Sequence, residues 1–308
     1  MRLTFKNFPY DFDAQNNVFR SLLSDVEVEK RSMREVDFYG CYPEKSFGAK
    51  VLLYAKSKIT EKAMTDWLNF QNGIPISVNP NKLNFWSTFE NRRPPVDLNL
   101  FTFSFDVDSY NGTNFYLPLI YLYMDLELRN PYTPRHSVTQ VAATSLRTIP
   151  NDLVEKKVGA ACTFISNPHP MRLRAIQEFS KNRKVDVFGR YSGNYVQNKI
   201  EQGESYWLNF CFENDLFPGY VTEKALEAWL SYSIPVYWGD DAAGILNPKA
   251  IVNLKDFESM RDFQDHLEYL LNNKSIMVEM ISQPILRKKL DISELRKFIL
   301  SAASPAGN

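Results

Sequence analysis

The sequence predicts an α/β protein of two domains, each built on a parallel sheet. Three observations carry this. Residues 206–240 read as strand, tight loop, helix and strand, and such a βαβ unit implies a parallel sheet with a right-handed crossover. Strand-like apolar runs alternate with helical periodicity before residue 125 and again after 159. Between them, 126–150 is polar and mixed, broken by Asn130-Pro131 and Thr133-Pro134. The chain of 308 residues is long enough for two ordinary domains. The expected division is 1–150, 151–280 and a C-terminal helix in 281–308 that packs back on the first domain.

In chain order, residues 3–8, 35–39, 50–56, 83–89 and 100–105 are predicted strands, with helices over 14–23 and 60–69. The second series has strands over 159–166, 185–189, 206–212, 234–238 and 250–254. Its helices fall over 171–182, 221–232 and 257–272. In the helix over 221–232, Ala225, Leu226, Trp229 and Leu230 share a face. The tail, 285–300, is amphipathic and basic.

The chemistry concentrates where the strand over 206–212 ends. Asn214, Tyr220, Glu223 and Lys224 crowd that end and the start of the following helix. Ligands of open α/β sheets bind at the carboxyl ends of strands. A helix start and a lysine suit a phosphate, and a carboxylate suits sugar hydroxyls. There is no Gly-x-x-x-x-Gly-Lys-Ser/Thr loop, so the implied nucleotide-diphosphate site is not a P-loop. The plainer reading of Glu223 and Lys224 is a solvated first helical turn. Asn214, Tyr220 and the flanking strands favour the site.

Phe212-Glu213-Asn214, then Tyr220-Val221-Thr222-Glu223-Lys224, then Ile234-Pro235-Val236-Tyr237-Trp238-Gly239 resemble the signature of glycosyltransferase family 10, the α-1,3/4-fucosyltransferases, in its bacterial form. The likeness extends over about residues 83–257. It takes in Phe164-Ile165-Ser166-Asn167, Arg172 and Val185–Gly189, and in the first domain Phe89-Glu90-Asn91 with Pro94-Pro95. It implies the GT-B fold: two Rossmann-like domains facing each other across a cleft. It also implies metal-independent, inverting transfer of L-fucose from GDP-fucose to O3 or O4 of a GlcNAc- or Glc-containing acceptor.

Carried onto this chain, the resemblance makes Glu90 the general base and Arg172, Asn214, Tyr220, Glu223 and Lys224 the donor-binding residues. Arg174, two residues on, competes with Arg172. An inverting transfer needs a carboxylate on the acceptor side and cations on the leaving diphosphate, which is the chemistry these residue types offer. Two alternatives remain: a transferase for another nucleotide-linked sugar, and a non-catalytic nucleotide-sugar or glycan-binding protein.

Lys plus Arg and Asp plus Glu each number 36, so there is no basic excess for nucleic acid. Asp106-Val107-Asp108 mimics a metal motif, but it lies in the first domain, away from the expected phosphates. The three histidines are scattered, so no metal and no cofactor beyond the donor are expected. Cys41, Cys162 and Cys211 read as buried free thiols. No run reaches a membrane span. The expected setting is cytoplasmic, with GDP-fucose and an oligosaccharide or glycolipid acceptor as partners. The basic tail offers a peripheral contact with the inner face of the membrane.

Overall fold

A computed structural model of the chain describes residues 2–6, 8, 12–27, 35–41, 78–79, 81–88, 90–95, 98 and 100–303. The strand and helix expected over 50–56 and 60–69, and Phe89, lie outside the described residues. The chain divides into two compact units. One takes the described residues within 1–118, 124–137 and 291–308, the other 119–123 and 138–290.

The first unit carries a five-stranded sheet of β1 (Arg2–Lys6), β2 (Glu35–Tyr39), β3 (Leu83–Ser87), β4 (Phe101–Ser104) and β5 (Asn114–Tyr116). Every pairing is parallel, and the spatial order follows the chain, β1-β2-β3-β4-β5. Its core is built of phenylalanine. Phe38 and Phe103 stack at 5.9 Å with their planes 6° apart, and Phe85 lies 5.3 Å from Phe103. Burying each such ring stabilises the unit by roughly 1.5–3 kcal/mol.

The last helix, Ile292–Ala302, closes this core. Leu295 and Ile299 are fully buried, and Phe298 meets Phe103 at 5.4 Å and Phe115 at 5.5 Å. The tail expected over 285–300 is therefore split. Asp291 caps the helix, accepting from the amides of Ser293 (2.8 Å) and Glu294 (3.1 Å). Residues before it, through Leu290, belong to the second unit.

The first helix also starts later than its pattern suggests, at Val18–Glu27. Asp13 holds the amides of Gln15 and Asn16 in a local turn, and Asn17 caps the helix that follows, its Oδ1 accepting from the Arg20 amide at 2.9 Å.

The second unit is a parallel sheet of β6 (Gly159–Phe164), β7 (Val185–Phe188), β8 (Tyr206–Phe210), β9 (Ile234–Tyr237) and β10 (Val252–Asn253), in the order β10-β9-β8-β6-β7. That is the doubly wound order in which the first strand sits between the second and the third. The chain runs outward from β6 to β7, returns to β8, and continues through β9 to β10. β6 and β8 are neighbours across the reversal, and that gap is where such sheets bind ligands.

The long segment of this unit runs from Val138 to Leu290. Thr139 caps a short helix, Gln140–Ala143, and Arg147 is bound into the unit's interior. The Arg147 guanidinium lies between the rings of Trp229 (3.7 Å) and Tyr232 (4.1 Å). It donates to the carbonyls of Trp229 (2.6 Å) and Ile281 (2.9 Å). Both carbonyls are in last turns of helices, Lys224–Leu230 and Lys274–Ser282, where they have no partner inside the helix. Among the described residues no helix is long and apolar enough to cross a membrane.

Replacing Arg147 by Leu strips the Ile281 carbonyl of this donor, leaves the Trp229 carbonyl to the Tyr232 amide (2.8 Å), and removes the stack. The unfolding free energy is expected to fall by about 2–5 kcal/mol, read as a lower urea midpoint. Arg147→Lys is expected to recover only part of it, because an ammonium cannot fill the planar slot between two rings.

Candidate functional site

The site grows out of the end of β8. Beyond Phe210 the chain stays paired with the β9 side: the Cys211 amide donates to the Val236 carbonyl and the Glu213 amide to the Trp238 carbonyl, both at 2.9 Å. It then turns back through Pro218-Gly219. Gly219 has φ +84°, a region only glycine enters freely, and its amide donates to the Asp240 carbonyl at 2.8 Å.

The following helix runs Lys224–Leu230, not 221–232. The turn before it is held by other bonds: the Thr222 amide donates to the Glu213 carboxylate (2.8 Å), and the Val221 amide closes a tight turn on Gly219. Glu223 is thus the residue before the helix. The helix has only two turns, so the positive character of the site comes from side chains more than from a dipole.

A cavity of about 190 Å³ lies at the β6/β8 reversal. Ser166 and Asn167 border it beyond β6, Phe212 and Asn214 beyond β8, and Glu223, Lys224 and Glu227 from the helix side. Four of the six residues singled out from sequence line it: Arg172, Asn214, Glu223 and Lys224. Tyr220 is buried, does not line the cavity, and is close enough to bear on the charges of Arg172 and Lys224. Glu90 belongs to the first unit and stands just beyond the carboxyl end of β3. Its amide donates to Thr88 Oγ1 at 3.2 Å, and the Glu90 carbonyl accepts from the Arg92 amide at 2.7 Å.

Two cations dominate the cavity. Arg172 stands on the helix Pro170–Phe179, begun by a proline at its first position and capped by His169, whose Nδ1 accepts from the Met171 amide. Its guanidinium donates to the Asn167 carbonyl (2.8 Å), to the Phe212 carbonyl (2.5 Å) and, at 3.4 Å, to the Glu213 carbonyl and Asn214 Oδ1. It therefore ties the β6 and β8 loops together across the reversal. Burial lowers its pKa. Arg174 is exposed, which decides between the two arginines.

Lys224 donates to Thr222 Oγ1 (2.8 Å) and Glu213 Oε2 (3.1 Å), and Glu223 Oε1 lies 3.6 Å away. Burial favours its neutral amine, but the carboxylates of Glu213 and Glu223 outweigh burial and hold its pKa above the usual lysine range.

Sequence reasoning missed Glu213, the hub of this arrangement. It also missed Lys199 and Glu227, an ion pair at 3.5 Å on the cavity wall. The signal for Glu213 was present: a carboxylate inside an aromatic strand end is an anomaly, because such residues are almost never fully buried unless paired. Asn167 does line the cavity, and its Oδ1 accepts from Arg190 (2.9 Å).

Asp106-Val107-Asp108 shapes a turn between β4 and β5. Asp106 accepts from the Tyr110 hydroxyl (2.5 Å) and Asp108 from the Tyr110 amide (2.8 Å). Among the described residues, no three His, Cys, Asp or Glu converge as a metal site would require.

Two parallel α/β units, the second doubly wound with a cation-bearing cavity at its reversal, are the architecture of GT-B glycosyltransferases. Residues 154–282 match the family model described as "Glycosyltransferase family 10 (fucosyltransferase) C-term". It is 30% identical over 216 residues to the alpha-(1,3)-fucosyltransferase FucT of Helicobacter pylori, covering 63% of this chain and 45% of that protein. It is 35% identical over 111 residues to human 4-galactosyl-N-acetylglucosaminide 3-alpha-L-fucosyltransferase FUT6, covering 33% of this chain and 30% of that one. The chain thus spans under half the length of these relatives. A crystal structure of an alpha1,3-fucosyltransferase with GDP-fucose matches its fold with a TM-score of 0.66 at 20% identity, covering 100% of this chain and 91% of that one.

Cys211 borders the cavity but is no nucleophile. Cys41, Cys162 and Cys211 are all buried and free, and burial pushes the Cys162 and Cys211 thiols well up, which keeps them inert. Ellman's reagent at pH 8 is expected to find almost no thiol in the native protein and all three after unfolding.

Proposed function

We propose that the chain is an inverting fucosyltransferase, moving L-fucose from GDP-fucose to O3 or O4 of a GlcNAc- or Glc-containing glycan without a metal. The observation that carries this is the convergence of Arg172, Asn214, Glu223 and Lys224 on one cavity at the β6/β8 reversal, inside the segment that matches family 10. The chemistry follows from the groups. In this reading Lys224 faces the diphosphate and stabilises the charge that develops as the bond between the anomeric carbon and the phosphate oxygen breaks. Arg172, already bound to the loop carbonyls, adds charge and fixes the loops that hold Asn214. Glu223 accepts from the ribose hydroxyls, and Tyr220 supports the donor side.

Glu90 is the proposed general base. The acceptor oxygen attacks the anomeric carbon from the face opposite GDP, its proton passes to the Glu90 carboxylate, and GDP leaves. Its position beyond a strand's carboxyl end supports the assignment, because such ends are where α/β sheets present reactive groups.

The natural setting for such a reaction is the cytoplasmic side of a membrane, with a lipopolysaccharide or capsule glycan as acceptor. The basic tail helix supports peripheral attachment only weakly. Lys297 is paired with Glu294 at 2.6 Å, and an exposed pair of this kind adds little.

The test is release of GDP when GDP-fucose is mixed with a panel of GlcNAc- and Glc-containing disaccharides. Glu90→Gln is expected to keep GDP affinity within about twofold while kcat falls about 10²–10⁴-fold. Unchanged turnover in Glu90→Gln removes the base assignment. Lys224→Ala is expected to weaken GDP binding about 10- to 100-fold, the worth of one charge-assisted hydrogen bond. Faster release from another nucleotide sugar would reassign the donor.

A further inference from the structure

The most deeply buried carboxylate at the cavity is one that the donor chemistry does not use. Glu213 is 0% exposed. Its Oε1 accepts from the Thr222 amide (2.8 Å) and the Tyr237 hydroxyl (3.2 Å). Its Oε2 accepts from Thr222 Oγ1 (2.7 Å) and Lys224 Nζ (3.1 Å). Four donors from the turn, the helix start and β9 thus fix one carboxylate in one orientation. A buried ionised group persists only when paired and hydrogen-bonded in this way.

The pair is also directional. Glu213 has no exposed side-chain surface, while Lys224 keeps 22% of its own, and Lys224 lines the cavity where Glu213 does not. The ammonium is therefore at the wall, with the carboxylate behind it and out of a ligand's reach. Thr222 Oγ1 both donates to Glu213 and accepts from Lys224, which closes a small ring of bonds around the charge. The remaining ammonium donor is left on the side of Glu223 and the cavity.

We propose that Glu213 is a positioning residue: from behind the cavity wall it holds the Lys224 ammonium charged and aimed at the leaving diphosphate, without touching the donor. The proposal rests on the donor reading given above.

The electrostatics agree in sign. Burial alone disfavours a charged lysine. Against it stand Glu213 first and Glu223 and Tyr220 after it. Cys211 and Arg172 face the same region, Cys211 with its thiol held neutral by burial. Replacing Glu213 by Gln removes the largest charge opposing burial, so the Lys224 pKa falls. The ammonium is then lost as the pH rises, and with it the grip on a diphosphate. In the wild type it stays charged throughout.

The experiment is the Kd for GDP between pH 7 and 9.5, by calorimetry, for wild type, Glu213→Gln, Lys224→Met and the double variant. The ionisation of GDP itself is common to all four. The expected result is an extra loss of at least tenfold toward pH 9.5 in Glu213→Gln. That loss should be absent from wild type and from Lys224→Met, and Glu213→Gln should change affinity less than twofold in the Lys224→Met background. A Glu213→Gln protein with the wild-type pH profile, or an equal loss in both backgrounds, overturns the proposal and leaves Glu213 a structural carboxylate.

Should Glu213→Gln not fold, wild type and Lys224→Met decide. A wild-type alkaline loss that Lys224→Met lacks shows an ammonium not held charged, and overturns the proposal. Parallel profiles, with wild type tighter throughout, sustain it. A wild type that binds no GDP at any pH fails the donor reading itself, and the proposal falls with it. Failure in the variants alone leaves that reading standing.

Discussion

A fully buried carboxylate with four donors is the constraint on which the rest of the candidate site depends. Glu213 brings together the end of β8, the turn before the next helix, the first residue of that helix and β9. Each is held by a bond to a fully buried carboxylate, which would be costly to leave unmade. The stance of Lys224 and the approach of Tyr237 are consequences of satisfying one group. The cavity wall is therefore stiff where a charged ligand would press on it, and preorganised groups of that kind cost no rearrangement when charge arrives.

Around that hub, two arginines do the joining. Arg172 spans the loops beyond β6 and β8 at the sheet's reversal, and Arg147 gathers the last turns of two helices from the other end of Lys224–Leu230. Both use a planar, multiply donating group to collect several carbonyls at once. That short helix is thus fixed at its start by a carboxylate and at its end by a guanidinium, so its register against the sheet is set from both sides.

Much of this was legible in the order of residues. The βαβ run was readable because its strands are short, apolar and aromatic and its turn carries Pro218-Gly219. The sequence favoured Arg172 over Arg174, and it is Arg172 that lines the cavity while Arg174 is exposed, as residues two apart on one helix face different ways.

What was not legible has a common physical origin. A pattern of apolar residues says which face is buried, not which polar group will capture a neighbouring amide. Thr222 could have continued a helix, and Asp13 could have been an ordinary cap. In both cases a side-chain oxygen holds a local turn that the apolar pattern does not show. Glu213 was hidden for the same reason, since its partners come from three places in the chain. In the first unit the alternation of strands was read correctly for β2, β3 and β4, but periodicity could not reveal that their order in the sheet is the order of the chain.

The place of the last helix has a consequence in time. Phe298 and Ile299 complete the aromatic core of the first unit, yet they are made after every residue of the second. During synthesis, domains fold as their residues emerge. The second unit, nearly continuous over 138–290, has all its strands available early. The unit that begins the chain must hold part of its phenylalanine surface uncovered until the end. Its period of greatest vulnerability to aggregation is therefore set by the translation time of the other unit, and a nascent-chain chaperone would act on the first unit rather than on the one that carries the cavity.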